Sequence, residues 1–141
     1  MRLRSNVLAH PAAAPSDAVT HFAHRLALEV DCADVGADLA AGLPGFTVVD
    51  CRAASAYAAG HVPGAVNLPY RRISAETVAR LLPPDSLLVT YCDGPHCNAS
   101  THGALRLAEL GRQVKEMIGG LDGWRRDGLA VESKPAEKVT A

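Results

Sequence analysis

The chain has 141 residues, of which 48% are hydrophobic and 21% charged, with a formal net charge of -1. This length fits one ordinary domain with a core of its own and is too short for two. The composition argues against a disordered protein, and the near-neutral charge argues against electrostatic binding to nucleic acid or anionic lipid.

The sequence contains no apolar run close to the roughly 20 residues that cross a bilayer, and residues 1–16 lack the apolar centre of a secretory signal. We therefore expect a soluble, cytoplasmic protein whose partner is a small molecule or another protein. The four cysteines, at positions 32, 51, 92 and 97, lack the spacing of a disulfide framework, so we expect thiols in a reducing compartment.

Residues 1–15 carry scattered Ala and Pro, and residues 133–141 are polar, so we expect two flexible ends around a single domain over residues 16–132. In chain order, the apolar spacing and the capping residues predict a helix from 16 to about 25, a short strand over 28–30 and a helix from 31 or 34 to 39. The first of these helices exceeds what the central motifs require, so we expect it to cover the sheet or a second subunit.

Strands and helices alternate through the rest of the chain. Strands are predicted over 46–49, 65–68, 87–91 and 114–117, and helices over 53–59, 74–82 and about 99–110, before a turn that carries Trp124. This alternation indicates an α/β fold with a mostly parallel central sheet of about five strands and helices on both faces. Ligands of such folds bind at the carboxyl ends of the strands, where Asp50, Arg52 and Cys92 are expected to meet.

Cys92 lies where a buried strand ends and a short loop with Gly and Pro leads into a helix. Backbone N–H groups and the helix dipole at such a position favour a thiolate, which makes Cys92 the candidate nucleophile. The alternative is that Cys92 is a small core residue, as we expect for Cys32 and Cys51. Trp124 is expected to lie over the core.

Four motifs in order resemble those of rhodanese-like domains. Residues 48–70, VVDCRAASAYAAGHVPGAVNLPY, resemble the first signature of that family, and residues 87–94, LLVTYCDG, resemble its active-site strand and loop. Residues 105–111 and 118–124 match the helix that follows and the closing Gly-Gly and Trp turn. The run Cys-x-Gly-Pro-His-Cys-Asn at 92–98 resembles a bacterial subgroup of the family.

The resemblance implies a three-layer rhodanese-like fold and a thiosulfate sulfurtransferase-like enzyme. Cys92 would take sulfane sulfur from thiosulfate or another persulfide donor, hold it as a persulfide and pass it to a thiol, to cyanide or to a protein persulfide partner. No cofactor, metal, nucleic acid or membrane is implied. The active-site and substrate-binding loop would consist of Asp93, Gly94, Pro95, His96, Cys97, Asn98 and Ala99.

Asp50 and Arg52 would support this loop by holding the strand ends together. The family has an acidic residue before Tyr57 where this chain has Ala56, so Arg52 either has another partner or faces the crevice. The family's loop also has an arginine shortly after the cysteine, and this loop has none. Arg71, just beyond a strand end, could supply the missing charge.

Two other functions remain open. The interval from Cys92 to Gly111 is longer than in common single-domain members and resembles the phosphatase and arsenate-reductase branch, whose loop ends in arginine. Alternatively, the chain is a non-catalytic module that senses oxidant or sulfur through Cys92. Cys97 then either closes a disulfide with Cys92 or fills space beside the helix.

The remaining loop side chains have alternative roles as well. His96 either donates to a substrate oxyanion or is a solvated loop residue. Asn98 is expected to cap the helix that follows. A zinc site from Cys92, His96 and Cys97 lacks the second ligand pair that structural zinc sites use.

Overall fold

The alternation of strands and helices appears in the computed structural model, which describes residues 3–135. The elements in chain order are α1 (Pro15–Leu28), β1 (Glu29–Asp31), α2 (Cys32–Ala40), β2 (Phe46–Asp50), α3 (Ala54–Ala59), β3 (Val66–Asn67), a 3-10 turn (Tyr70–Arg72), α4 (Ala75–Leu81), β4 (Leu87–Tyr91), α5 (Ala99–Glu109), β5 (Val114–Ile118) and α6 (Gly120–Arg126). The predicted flexible ends fall partly on residues 1, 2 and 136–141, which lie outside the described residues.

The five strands form one sheet in the order β1-β5-β4-β2-β3, and every strand pair is parallel. β4 lies at the centre, between β2 and β5. The predicted α/β fold with a central sheet of about five strands is thus confirmed, with pairing that is parallel throughout. Because parallel strands end at one edge, the residues that follow β2, β4 and β5 lie side by side.

The sheet is covered on both faces because its central strands alternate their apolar side chains between two clusters. Val48 and Val89 pack on one face with Trp124 of α6, among other residues. Val49 and Leu88 pack on the other face with the helices α4 and α5.

Residues 120–126 form a helix, where the sequence predicted a turn. Gly119 and Gly120 both have positive φ. Because glycine has a low helix propensity, the sequence does not indicate that a helix begins here. Trp124 is 3% exposed and its Nε1 donates to the carbonyl oxygen of Ala130 at 2.9 Å, so its predicted place over the core is confirmed.

The expectation that α1 covers the sheet is not met, and the alternative, that it covers a second subunit, stays a prediction. α1 runs beside β1 and β5, and none of its residues is buried. Its apolar side chains, Val19, Phe22 and Leu26 among them, are mostly exposed. Among residues 3–135, no helix combines the length and the apolar character that a membrane span requires.

Candidate functional site

Cys92 is the first residue after β4 and lies in the crevice at the carboxyl edge of the sheet. Its side chain is 2% exposed. The thiol lies 3.2 Å from the Ser100 Oγ and 3.2 Å from the carbonyl oxygen of Cys97, and it donates its one proton to either. Cys92 therefore has hydrogen-bond partners from both the loop and the first turn of α5.

Ser100 is itself part of a longer chain of hydrogen bonds. Its hydroxyl donates to Oε2 of Glu116 on β5 at 2.6 Å, and the hydroxyl of Thr101 donates to the same oxygen at 2.7 Å. A carboxylate thus lies one hydroxyl away from the Cys92 sulfur.

Burial raises the pKa of the Cys92 thiol above its ordinary value of 9.0. Hydrogen bonds from the side chain and backbone of Ser100 lower the pKa in part, and the neighbouring Cys97 raises it again. At neutral pH, Cys92 therefore rests as a thiol, and the thiolate is the minor form.

The loop after Cys92 is held by α6. The N–H groups of Leu121 and Asp122 donate to the carbonyl oxygens of Cys92 and Asp93 at 2.9 and 2.8 Å. Gly120 permits this approach, because a Cβ there would lie 2.6 Å from the Cys92 carbonyl oxygen. The first turn of α6 therefore holds the backbone of the loop in place.

Asp50 and Arg52 form a buried network at the end of β2. Oδ2 of Asp50 accepts from the Arg52 Nη2 at 2.7 Å and from the Tyr91 hydroxyl at 2.6 Å, while Nη2 of Arg52 also donates to the carbonyl oxygen of Gly60 at 2.7 Å. The Arg52 Nη1 reaches Oδ1 of Asp93 at 3.3 Å. In this chain, which has Ala56 before Tyr57, Arg52 has Asp50 and Asp93 as acidic partners, and its hydrogen bonds join the end of β2 to Gly60 and to the loop after β4.

The crevice beside Cys92 has a volume of about 580 Å³, within the size range of small-molecule sites. Its charged lining residues, all within the described range, are three acidic side chains and one basic side chain: Asp31, Glu116, Asp127 and Arg126. Cys32 also lines it, with a thiol whose pKa burial raises to about 11. The crevice is therefore acidic, with Arg126 as its cation.

The structure brings some of the loop residues into the crevice and leaves others outside it. Gly94, Pro95 and Cys97 line the crevice, as Cys92 does. His96 is exposed and lies 3.8 Å from Oδ2 of Asp122, measured from Nδ1. Ala99 packs against the core on the side of α5.

Two expected roles are absent from the described structure. Asn98 occupies the N-cap position of α5, but its side chain makes no capping hydrogen bond there, because the backbone at this residue is not in the extended conformation that such caps use. Arg71 donates from Nε to the Tyr70 hydroxyl at 2.9 Å and is not among the residues that line the crevice, so it leaves the loop without added charge.

Sequence reasoning missed Ser100, Glu116 and Arg126. Ser100 follows the loop and could have been considered as a first-turn donor at the start of a helix. Glu116 gave a signal as a charged residue within a predicted strand, where a partly buried carboxylate needs hydrogen-bond partners. Within residues 3–135 no group of three or more His, Cys, Asp or Glu side chains is arranged to hold a metal ion.

The comparisons with known proteins agree with the fold. The rhodanese-like domain model matches residues 34–127. The HTH-type transcriptional regulator Rv0324 of Mycobacterium tuberculosis is 40% identical over 87 residues, which are 61% of this chain and 37% of that protein. The match thus spans little more than a third of this curated relative.

Solved structures are similar to this chain as well. The BH2092 protein from Bacillus halodurans has a TM-score of 0.82 and 40% identity, with 85% of this chain and 87% of that chain covered. The thiosulfate sulfurtransferase from Pseudomonas aeruginosa has a TM-score of 0.63 and 22% identity, with 84% of this chain and 22% of that chain covered. The second similarity concerns the fold alone.

Proposed function

The chain belongs to the rhodanese-like domain family, and we propose that it is a sulfurtransferase that carries sulfane sulfur as a persulfide on Cys92. The observation that carries this proposal is the position of the Cys92 sulfur. It lies at the end of the central strand, in a crevice of small-molecule size, with the Ser100 hydroxyl 3.2 Å away.

The transfer has two steps, and both conserve atoms and electrons. The Cys92 thiolate attacks the sulfane sulfur of the donor, a new S–S bond forms, and the donor's own S–S bond breaks with its electron pair on the leaving thiolate or sulfite. A nucleophilic acceptor then attacks the outer sulfur of the persulfide, and the Cys92 thiolate leaves. The enzyme ends each cycle as it began.

The charges around the crevice favour an organic persulfide over thiosulfate as donor. Thiosulfate carries two negative charges, while the crevice has three acidic side chains against Arg126. The loop from Asp93 to Asn98 contains no arginine. A low-molecular or protein-bound persulfide of lower charge avoids this repulsion.

The other predicted site residues have roles within this proposal. Gly94, Pro95 and Cys97 line the donor's path, and Asp50 and Arg52 hold the strand ends and Asp93. Arg71 has no part in it, because it contacts Tyr70. A reducing, cytoplasmic location belongs to the proposal too, since all four cysteines are free.

The test is intact-mass spectrometry after incubation with thiosulfate or with an organic persulfide. We expect a gain of one sulfur atom, about 32 Da, which Cys92→Ser abolishes and which added cyanide removes. Cys51→Ser, a buried thiol of the same core, is the matched control and should keep the gain. No gain with either donor, or a gain that Cys92→Ser retains, would refute the proposal.

A second candidate function is oxidant or sulfur sensing, which two observations favour. The Cys97 carbonyl oxygen lies 3.2 Å from the Cys92 sulfur, so the two cysteines are adjacent, and the curated relative is a transcriptional regulator. A Cys92–Cys97 disulfide after peroxide, found as a loss of two hydrogens in the intact mass, would support sensing. Retention of both thiols under the same treatment would exclude oxidant sensing through this pair.

A further inference from the structure

Ser100 has one hydroxyl proton and two neighbours that compete for it. Its oxygen lies 3.2 Å from the Cys92 sulfur and 2.6 Å from Oε2 of Glu116. A serine that donates to the carboxylate is left with oxygen lone pairs facing the sulfur. The short distance to Glu116 indicates that the hydroxyl donates its hydrogen bond to the carboxylate, because charge-assisted hydrogen bonds are the shorter and stronger ones.

The direction of the Ser100 hydrogen bond decides whether a thiol or a thiolate is favoured at Cys92. A thiol donates to the Ser100 oxygen without conflict. The Ser100 hydroxyl lowers the pKa of Cys92 only where it donates to the sulfur. While its proton is on the hydrogen bond to Glu116, the backbone N–H of Ser100 is the donor that remains, and a thiolate would face the hydroxyl lone pairs with the Glu116 charge one hydroxyl away. Thr101 strengthens the arrangement, because its hydroxyl fixes the same carboxylate oxygen at 2.7 Å.

We propose that Glu116 is a positioning residue that acts through Ser100 to hold the Cys92 sulfur as a thiol and to disfavour doubly charged sulfur donors. The inference rests on Cys92 being the nucleophile of the proposed function. Glu116 lies on β5 and reaches the sulfur only through Ser100, so it is not itself a catalytic residue.

Among residues 3–135, Glu116 accepts from the hydroxyls of Ser100 and Thr101, and no basic side chain forms an ion pair with it. Other charged or titratable groups line the crevice or lie on elements packed against β5: Arg25 on α1, Glu29 and Asp31 on β1, Cys32 on α2, Cys51 after β2, Asp93 and Cys97 in the loop, and Arg126 and Asp127 at the end of α6. Arg25 pairs with Glu29 at 3.1 Å. Arg126 stands beside Asp127 in the chain.

The donor class follows from the same arrangement. A donor that enters the crevice meets a thiol whose ionisation Glu116 opposes, and a dianion meets the Glu116 charge in addition. A neutral or singly charged organic persulfide avoids the second penalty and can give its leaving thiolate the proton that Cys92 loses. Cys92 then gains the sulfur, and the donor departs as a thiol.

The experiment is the pH profile of Cys92 alkylation by iodoacetamide, followed for this cysteine alone by peptide mass spectrometry. In the full chain carrying Glu116→Gln, the Ser100 proton is free to turn toward the sulfur. We expect the midpoint of the Cys92 alkylation profile to fall by about one pH unit and the alkylation rate at pH 7 to rise about tenfold. Were Glu116 instead a base that takes the Cys92 proton, the same substitution would slow alkylation.

Two further variants separate positioning from charge alone. Glu29→Gln removes a carboxylate from the neighbouring strand, in register with Glu116, and should leave the midpoint of Cys92 in place. In a Ser100→Ala background, Glu116→Gln should lose most of its effect, because the hydroxyl that it positions is gone. A shift that persists without Ser100 would overturn the proposal.

Sulfur loading distinguishes failure of this inference from failure of the proposed function. Glu116→Gln should gain about tenfold in loading by thiosulfate relative to loading by an organic persulfide. An unchanged or higher alkylation midpoint overturns the role of Glu116, whatever the donors do. A lowered midpoint in a protein that no donor loads supports the role of Glu116 and refutes the sulfurtransferase.

Discussion

The buried ion pair at the end of β2 gives a stability prediction that the structure makes quantitative. Asp50 is 0% exposed and Arg52 is 8% exposed. Oδ1 of Asp50 accepts from the backbone N–H and Nε of Arg52 at 2.9 and 3.0 Å, and Oδ2 accepts from Nη2 at 2.7 Å and from the Tyr91 hydroxyl at 2.6 Å. Asp50→Asn keeps the shape of the side chain and leaves the buried guanidinium with only the half-exposed Asp93 carboxylate as a counter-charge.

The expected loss in the free energy of unfolding is about 3–5 kcal/mol, the usual result of removing one partner of a buried pair. For a chain of this length, that loss lowers the melting temperature by about 10–15 °C. Urea denaturation followed by circular dichroism measures the first quantity, and scanning calorimetry measures the second.

The matched control uses the other carboxylate on the same arginine. Asp93 lies 3.3 Å from Nη1 of Arg52, with its side chain 50% exposed, so Asp93→Asn should cost no more than about 1 kcal/mol. If Asp50→Asn were as mild as Asp93→Asn, the argument from desolvation would be wrong, and Arg52 would have to reach water in the folded protein.

Other predictions concern the loop, the base of the crevice and its second thiol. Cys97→Ser should reduce sulfur loading of Cys92 without abolishing it, and an equal loss in Cys92→Ser and Cys97→Ser would require a mechanism with paired cysteines. Gly120→Ala should destabilise the protein by about 2–4 kcal/mol in urea, because the new Cβ meets the loop backbone at a positive φ; Gly111→Ala, with a similar φ and open space around it, should cost about 1 kcal/mol. Burial, and then the charges of two aspartates, raise the pKa of Cys32 from 9.0 to about 11. The unfolded chain therefore releases this proton first, and stability falls as pH rises from 9 to 11. Cys32→Ala should flatten this fall in a urea series, and an unchanged slope would contradict it.

The parts of the site that the sequence predicted depend on local pattern. Asp50 and Arg52 are two residues apart at a strand end, and their joint structural role is what the resemblance to the family signature implies for that pair. The position of Cys92 at a strand end is predicted by the apolar run that ends before it and by the Gly and Pro of the loop that follows. In both cases the residues that matter are neighbours in the chain.

The predictions that were wrong depend on side-chain direction, backbone conformation and packing between elements. Arg71 lies near a strand end, but its side chain turns to Tyr70. Asn98 has the right position for a cap and the wrong backbone angles. α1 has helical apolar spacing, yet none of its residues is buried, so it does not cover the sheet, and its alternative role of covering a second subunit stays a prediction.

The sequence by itself determined the fold class, the order of the five strands and of the helices before α6, and the position of Cys92 at the end of a buried strand. Hydrophobic period, turn residues and strand length are local quantities, and they suffice for these conclusions. Only the tertiary structure decided that Glu116 shares Ser100 with Cys92 and that Arg126 is the cation of an acidic crevice. Ser100 and Glu116 are 16 residues apart, and their contact exists because β5 pairs with β4 in one register while α5 packs across both strands.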